Sequence, residues 1–232
     1  MTSRQSYALV LDIDGVIRDV SQSYRRALAD TAEFFSGRRP TMAEIDRLKQ
    51  EGLWNNDWEA SQELIRRFAP HVQVEYAQVV AFFQSRYRGQ NWDGYIQQEP
   101  LLVEREFFQR LEAAGIPWGF FSGATRASAM FVLKRLGLTA PLLVAMEDAP
   151  GKPDPTGLIQ IAHQLDRPHV LYVGDTVADM LTVGRAREQD KSHTYEAIGV
   201  IPPHVTAEAD YAAALSQGGA DRICRRLRDL TF

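Results

Sequence analysis

The chain has 232 residues, 45% of them hydrophobic, and its 26 basic and 30 acidic side chains leave a formal charge of −4. That length supports one large core plus a smaller one, and the lack of any Lys/Arg block argues against a nucleic-acid partner. No apolar run approaches a membrane span, and Met1-Thr2-Ser3-Arg4-Gln5 leads straight into the first expected strand without a signal peptide, so no membrane association and a cytoplasmic location are expected. The single cysteine, Cys224, excludes an intramolecular disulfide and a Cys-based zinc cluster; it is expected as a buried thiol on a terminal helix.

In chain order, Tyr7–Leu11 is a continuous apolar stretch that reads as a buried parallel strand, and it ends in Asp12-Ile13-Asp14-Gly15. From about Ser21 to Tyr95 helical patterns take over. Ser23–Phe35 carries Leu28, Ala32 and Phe35 at helical spacing, Thr41 and Glu44 form a capping box, and Glu59–Phe68 and Glu75–Tyr87 follow. Pro100 stops one element before Val103–Ala114 begins. The apolar runs Pro117–Phe121, Leu142–Met146, Val170–Val173 and Ala197–Ile201 then alternate with helical segments such as Ala127–Leu136 and Leu158–Leu165. That rhythm predicts βαβ units: an α/β, Rossmann-like three-layer core with a mainly parallel sheet. The expected division is a core from 1–17 and 96–232, with an inserted α-helical domain over 18–95.

Four segments carry chemistry. Asp12 and Asp14 leave the first strand at its carboxyl edge, where open α/β sheets bind ligands. Ser122-Gly123 follows the apolar Trp118–Phe121, so a hydroxyl and an unobstructed backbone N–H can face an anion together. Lys152 stands in Gly151-Lys152-Pro153, ahead of a helix that Thr156 is expected to cap. Asp175 and Asp179 follow Val170–Val173 in Gly174-Asp175-Thr176-Val177-Ala178-Asp179. Each has an ordinary reading too: turn residues for Asp12 and Asp14, an N-cap at Thr125 beside Ser122, a solvated lysine, and a helix cap with a first-turn acid for Asp175 and Asp179.

Taken in order, the four segments resemble the haloacid dehalogenase superfamily of phosphotransferases, in the branch with a helical cap inserted after the first strand. The resemblance implies that Asp12 is the nucleophile and Asp14 the general acid and base, a residue that the family's dehalogenases lack. It implies that Ser122 and Gly123 bind the phosphate, that Lys152 offsets its charge, and that Mg²⁺ is held by Asp12, Asp175 and the Asp14 backbone carbonyl. Asp179 is then a ligand through water or an orienting group. A carboxylate acceptor splits hydrolysis into two steps, and a cation must intervene between these acids and a phosphate dianion.

The expected function is therefore a Mg²⁺-dependent phosphatase acting on a small phosphorylated metabolite, as a monomer or homodimer. A phosphomutase of the β-phosphoglucomutase type, which the opening Asp-Ile-Asp-Gly-Val-Ile-Arg-Asp also resembles, and a silent binding protein on the same fold are the alternatives. In the helical insertion, Asn55 and Trp58 of Leu53-Trp54-Asn55-Asn56-Asp57-Trp58 could read a sugar or polyol through hydrogen bonds and stacking; equally, Asn56 or Asp57 could cap a helix while the tryptophans pack its core. Arg18, Arg25 and Arg26 could meet a substrate anion or lie on a solvated face. The five histidines show no metal-ligand spacing.

Overall fold

The structure is a computed structural model that describes residues 6–51, 54 and 56–230. It divides into two compact units, one made of Met1–Asp19 with Pro100–Phe232, the other of Val20–Glu99. The crossings lie later in the chain than 18 and 95. Backbone pairing explains the shift: Arg18 bridges Leu101, and the Asp19 N–H donates to the Pro100 carbonyl at 2.9 Å, which ties both segments to the sheet unit.

Six strands form one sheet in the order β3-β2-β1-β4-β5-β6: β1 Tyr7–Leu11, β2 Trp118–Phe121, β3 Leu143–Val144, β4 His169–Gly174, β5 Thr194–Val200 and β6 Arg222–Cys224. Every pairing is parallel. Strand side chains alternate between faces, so Leu9 and Leu11 enter one core and Val10 the other. The first core takes Phe107, Phe108 and Leu111 of α5 (Arg105–Ala113) and Ala129, Val132 and Leu133 of α6 (Arg126–Arg135). The second takes Leu158 and Ile161 of α7 (Thr156–Leu165), Met180 and Val183 of α8 (Val177–Gln189), and Leu215 of α9 (Glu208–Gln217). Helices thus cover both faces, giving the α/β three-layer core that the strand and helix rhythm predicts.

The other unit is helical: α1 Ser23–Ser36, α2 Met42–Gln50, α3 Asp57–Phe68, α4 Tyr76–Tyr87 and a short 3₁₀ turn at Tyr95–Gln98. Its core stacks Tyr24 on Tyr87, with ring centroids 4.5 Å apart, around buried Leu28, Ile45, Leu64, Val79 and Phe83. Thr41 and Glu44 make the expected reciprocal cap, and a second capping box joins Glu75 and Gln78 at the start of α4.

Two local expectations are corrected. Cys224 lies in edge strand β6, not on a helix, because Gly218-Gly219 end α9 and Arg222-Ile223-Cys224 pair with β5; burial raises its thiol to about 11. Thr156 is the first helical residue of α7, and the capping acceptor is Asp154, whose Oδ1 takes the Thr156 N–H at 2.9 Å. Among the described residues no helix is long and apolar enough to cross a membrane.

Phe108, 1% exposed, packs against Trp118 and Phe120, so Phe108→Ala is expected to cost about 3–5 kcal/mol in urea unfolding. Phe34, 63% exposed, should cost less than about 1 kcal/mol when cut to alanine. Equal losses for the two would contradict this placement of the core.

Candidate active site

The strand order changes direction between β1 and β4, since the chain steps outward from β1 to β2 and β3 and then returns to β4 on the other side. That is where a crevice opens at the carboxyl ends of the strands. Asp12 follows β1 directly and Asp175 follows β4, so the two acids face each other across it. Gly15 permits the approach. It adopts φ +73°, and a Cβ there would lie 2.0 Å from Asp175 Oδ2. Gly174 does the same for Asp179, whose Cβ would be 2.4 Å from a methyl at that position.

Asp12 is buried, with Oδ1 accepting the Ile13 N–H at 2.7 Å and Oδ2 lying 2.9 Å from Lys152 Nζ. The same ammonium donates to Asp179 Oδ1 at 2.6 Å. Lys152 thus bridges two carboxylates, with the rings of Phe121 and Tyr172 5.4 and 5.5 Å from its nitrogen. Asp14 points differently. Its Oδ1 accepts from Arg18 Nε at 2.7 Å, and its side chain keeps 26% exposure while that of Arg18 is fully buried. Arg18 is accordingly a support for Asp14 and not part of a solvated helix face.

Asp179 occupies the first turn of α8, as its ordinary reading expects, although the cap is Thr176 and not Asp175. Thr176 N–H and Oγ1 donate to Asp179 Oδ2 at 2.9 and 2.6 Å, and Tyr172 donates to Oδ1 at 2.8 Å. With Lys152, the donors to this carboxylate number four, which fills its lone pairs. Asp175 is held by its backbone, because the Tyr211 hydroxyl donates to its carbonyl at 2.7 Å. Among the described residues no hydrogen-bond donor reaches its carboxylate as four reach that of Asp179. Asp12, Asp175 and Asp179 each present an oxygen within 4.8 Å of the others.

Ser122 follows β2 directly and is buried; its N–H donates to the Val144 carbonyl at 3.0 Å, and its Oγ accepts the Ala124 N–H at 3.1 Å. Gly123 has nothing within 4 Å of the place where a Cβ would sit, which keeps its backbone open to a ligand. Thr125 caps α6 by accepting the Ser128 N–H, so the ordinary reading of this turn also holds. In the helical unit, Asn56 is the α3 cap, accepting the Trp58 N–H at 2.9 Å, and Trp58 is half-buried in the first turn; Asn55 lies outside the described residues. Arg26 stacks over Tyr95 within the same unit.

The charges are unbalanced. Burial pushes Asp12 up to about 7, with Asp179 and Asp14 adding to the rise and Lys152 opposing it. Burial, then the neighbouring Asp179 and Asp12, raise Asp175 well above the usual carboxylate range. Asp179 goes the other way. Burial opposes its ionisation, but Lys152 and the Thr176 donors outweigh that and hold it low. Lys152 itself is raised, since the two carboxylates overcome the desolvation of its ammonium. Lys152 is shared by Asp12 and Asp179 while Arg18 is taken by Asp14, and an all-oxygen donor set of this kind suits a small hard divalent ion.

The tyrosine–aspartate–lysine contacts were not foreseen from the sequence. Tyr172 reads as one apolar residue of a strand, and only its two-residue spacing from Gly174 hints that it shares the face of the α8 acid.

The chain belongs to the haloacid dehalogenase-like hydrolases, whose family model matches residues 8–187. It is 32% identical over 215 residues to a protein of Phytophthora nicotianae named imidazoleglycerol-phosphate dehydratase; the match takes in 87% of this chain but only 45% of that protein. Solved structures share the fold. A predicted phosphoglycolate phosphatase from Haemophilus somnus superposes with a TM-score of 0.73 at 14% identity, covering 96% of this chain and 95% of its own. A phosphatase from Thermococcus thioreducens gives 0.68 at 21%, covering 90% and 99%.

The raised Asp12 carboxyl makes a prediction for stability. Folded, it keeps its proton up to about pH 7; unfolded, it releases it near 3.8, so between these values the folded state binds more protons and stability falls as pH rises. With chelator present, the unfolding free energy of the wild type minus that of Asp12→Asn should therefore decrease from about pH 4 to about pH 7. A difference that is flat or increases over that range would contradict the buried, raised carboxyl.

Proposed function

We propose that this hydrolase is a Mg²⁺-dependent phosphomonoesterase that cleaves a small phosphorylated metabolite through an aspartyl-phosphate on Asp12. The observation that carries the reading is the buried Asp12 carboxylate at the end of β1, 2.9 Å from the Lys152 ammonium and facing Asp175 across the crevice. A nucleophile, a cation beside it and an acid two residues on are what phosphoryl transfer asks of a protein.

The residues fit Mg²⁺. Burial raises both Asp12 and Asp175, and a divalent ion held by them would favour their carboxylate forms. Asp12, Asp175 and the Asp14 backbone carbonyl would hold it. Asp179, its oxygens taken by Lys152, Tyr172 and Thr176, instead orients the lysine. When bound, the ion supplies positive charge that offsets the phosphoryl oxygens.

In the first step a carboxylate oxygen of Asp12 attacks phosphorus while the ester oxygen departs with its electron pair and takes a proton from Asp14. Arg18 pins Asp14 by one oxygen, leaving the other to carry that proton. Ser122 donates its hydroxyl and Gly123 its N–H to phosphate oxygens, and Lys152 offsets their charge. In the second step Asp14 takes a proton from water, whose oxygen attacks phosphorus as the bond to Asp12 breaks, releasing inorganic phosphate and restoring both aspartates.

The Phytophthora relative points to a substrate class. Its name refers to imidazoleglycerol phosphate, a phosphate ester of a small polyol bearing an imidazole, and it shares 32% identity over most of this chain. Phosphomonoesters of imidazole-bearing polyols are therefore the first compounds to place against phosphoglycolate and hexose phosphates in a kcat/KM ranking.

Asp12→Asn should abolish turnover and leave no hydroxylamine-labile phosphoenzyme, whereas Asp14→Asn should lower turnover by about 10² to 10⁴ while still accepting phosphate from acetyl phosphate, whose leaving group needs little protonation. Turnover retained by Asp12→Asn would exclude the covalent route. Activity should vanish in EDTA and return with Mg²⁺, and Asp175→Asn should need at least about tenfold more Mg²⁺ for half-maximal rate. Full activity after exhaustive chelation would exclude the metal.

A further inference from the structure

At the other edge of the sheet, where the strands begin, three potential ligands converge that the hydrolase site does not use. His163 sits in the last turn of α7, Asp190 caps the end of α8, and His193 immediately precedes β5. Their ligand atoms lie within 4.8 Å of one another. The His193 Nδ1 is 2.6 Å from Asp190 Oδ2, and His163 Nε2 is 4.0 Å from that same oxygen. The two imidazoles meet edge to face at 79°, with centroids 4.8 Å apart.

We propose that His163, Asp190 and His193 form a binding site for one divalent transition-metal ion of the zinc type. Ligand atoms around a tetrahedral ion with bonds of about 2.0–2.1 Å stand about 3.4 Å apart, and the two rings of such a site lie about 5 Å apart at their centroids. The ring separation already matches. The two nitrogen–oxygen distances, 2.6 and 4.0 Å, bracket the required spacing, so each changes by less than about 1 Å when an ion replaces the proton between His193 and Asp190. Imidazole nitrogen with one carboxylate is a donor set that suits zinc, copper or nickel and not magnesium, which separates this site chemically from the all-oxygen crevice.

The surroundings are those of a supported site. Asp190 is held by the Ser192 N–H at 2.8 Å and Ser192 Oγ at 2.5 Å on Oδ1, and by the Tyr195 hydroxyl at 2.5 Å on Oδ2. Burial opposes its ionisation, but these donors and His193 overcome that and keep it a carboxylate. Outer hydrogen bonds of this kind orient a ligating carboxylate. The side chain of His193 is 8% exposed and that of His163 57%, so the ion has a fixed inner wall and a way in from solvent, which would also fill its remaining position. Bound there, it would tie the end of α7 to the connection between α8 and β5.

The test is calorimetric titration of ZnCl₂ into the protein in excess Mg²⁺, which competes for the all-oxygen crevice and not for an imidazole site. One equivalent should bind the wild type and raise its melting temperature; His163→Ala, altering an exposed side chain, should melt as the wild type does without zinc, yet bind zinc at least about tenfold more weakly and lose the zinc-induced rise. His193→Gln should behave likewise toward zinc. Absence of zinc binding by the wild type, or equal zinc affinity in the wild type and His163→Ala, would overturn the proposal.

Discussion

One ammonium holds two buried carboxylates. Lys152 lies 2.9 Å from Asp12 and 2.6 Å from Asp179, and among the described residues no second basic side chain pairs with either carboxylate. In a low-dielectric crevice an unpaired carboxylate is costly, so removing one charge from this set leaves the others to be desolvated alone. The consequence is asymmetric. Asp179 also draws on Thr176 and Tyr172 and stays ionised, while Asp12 among the described residues takes the Ile13 N–H beside the lysine and is pushed up to about 7. The better-satisfied acid anchors the cation, and the less-satisfied one is left available to react.

The fold supplies this constellation by topology. Parallel strands place their carboxyl ends on one edge, and the reversal of strand order at β1 and β4 opens that edge at the two loops carrying Asp12 and Asp175. Lys152 comes from the loop before α7, and Ser122 from directly after β2. No two of these come from one element, so their spacing depends on helices α5 to α8 packing both faces of the sheet. The left-handed Gly15 is the narrowest constraint, because any side chain there would occupy the space of the Asp175 carboxylate.

Much of this was legible in the sequence. Apolar runs of four to six residues, each ending in Asp, Ser or Gly, marked β1, β2 and β4 and the residues at their ends, because buried parallel strands are apolar on both faces. Helices with caps were legible for the same reason: Thr41 with Glu44 satisfies orphan backbone donors locally, and so does Thr125. The failures are equally physical. β6 is a three-residue edge strand, and Arg222-Ile223-Cys224 has neither the length nor the alternation to stand out. Arg18 looked like a surface residue, since nothing local reveals that a long cationic side chain will be buried against Asp14. The four-donor environment of Asp179 depends on Tyr172, seven residues away on a different element, and the His163, Asp190 and His193 cluster joins residues that have no ligand-like spacing in sequence.

If the lysine governs the site, Asp12 should report its loss directly. The measurement is a ¹³C NMR titration of the Asp12 carboxyl carbon in metal-free wild type and in Lys152→Met, a substitution that keeps the length of the side chain and removes its charge. The account predicts a higher titration midpoint for Asp12 in Lys152→Met than in the wild type, because burial and the neighbouring acids would then act without opposition. An unchanged or lower midpoint would contradict it.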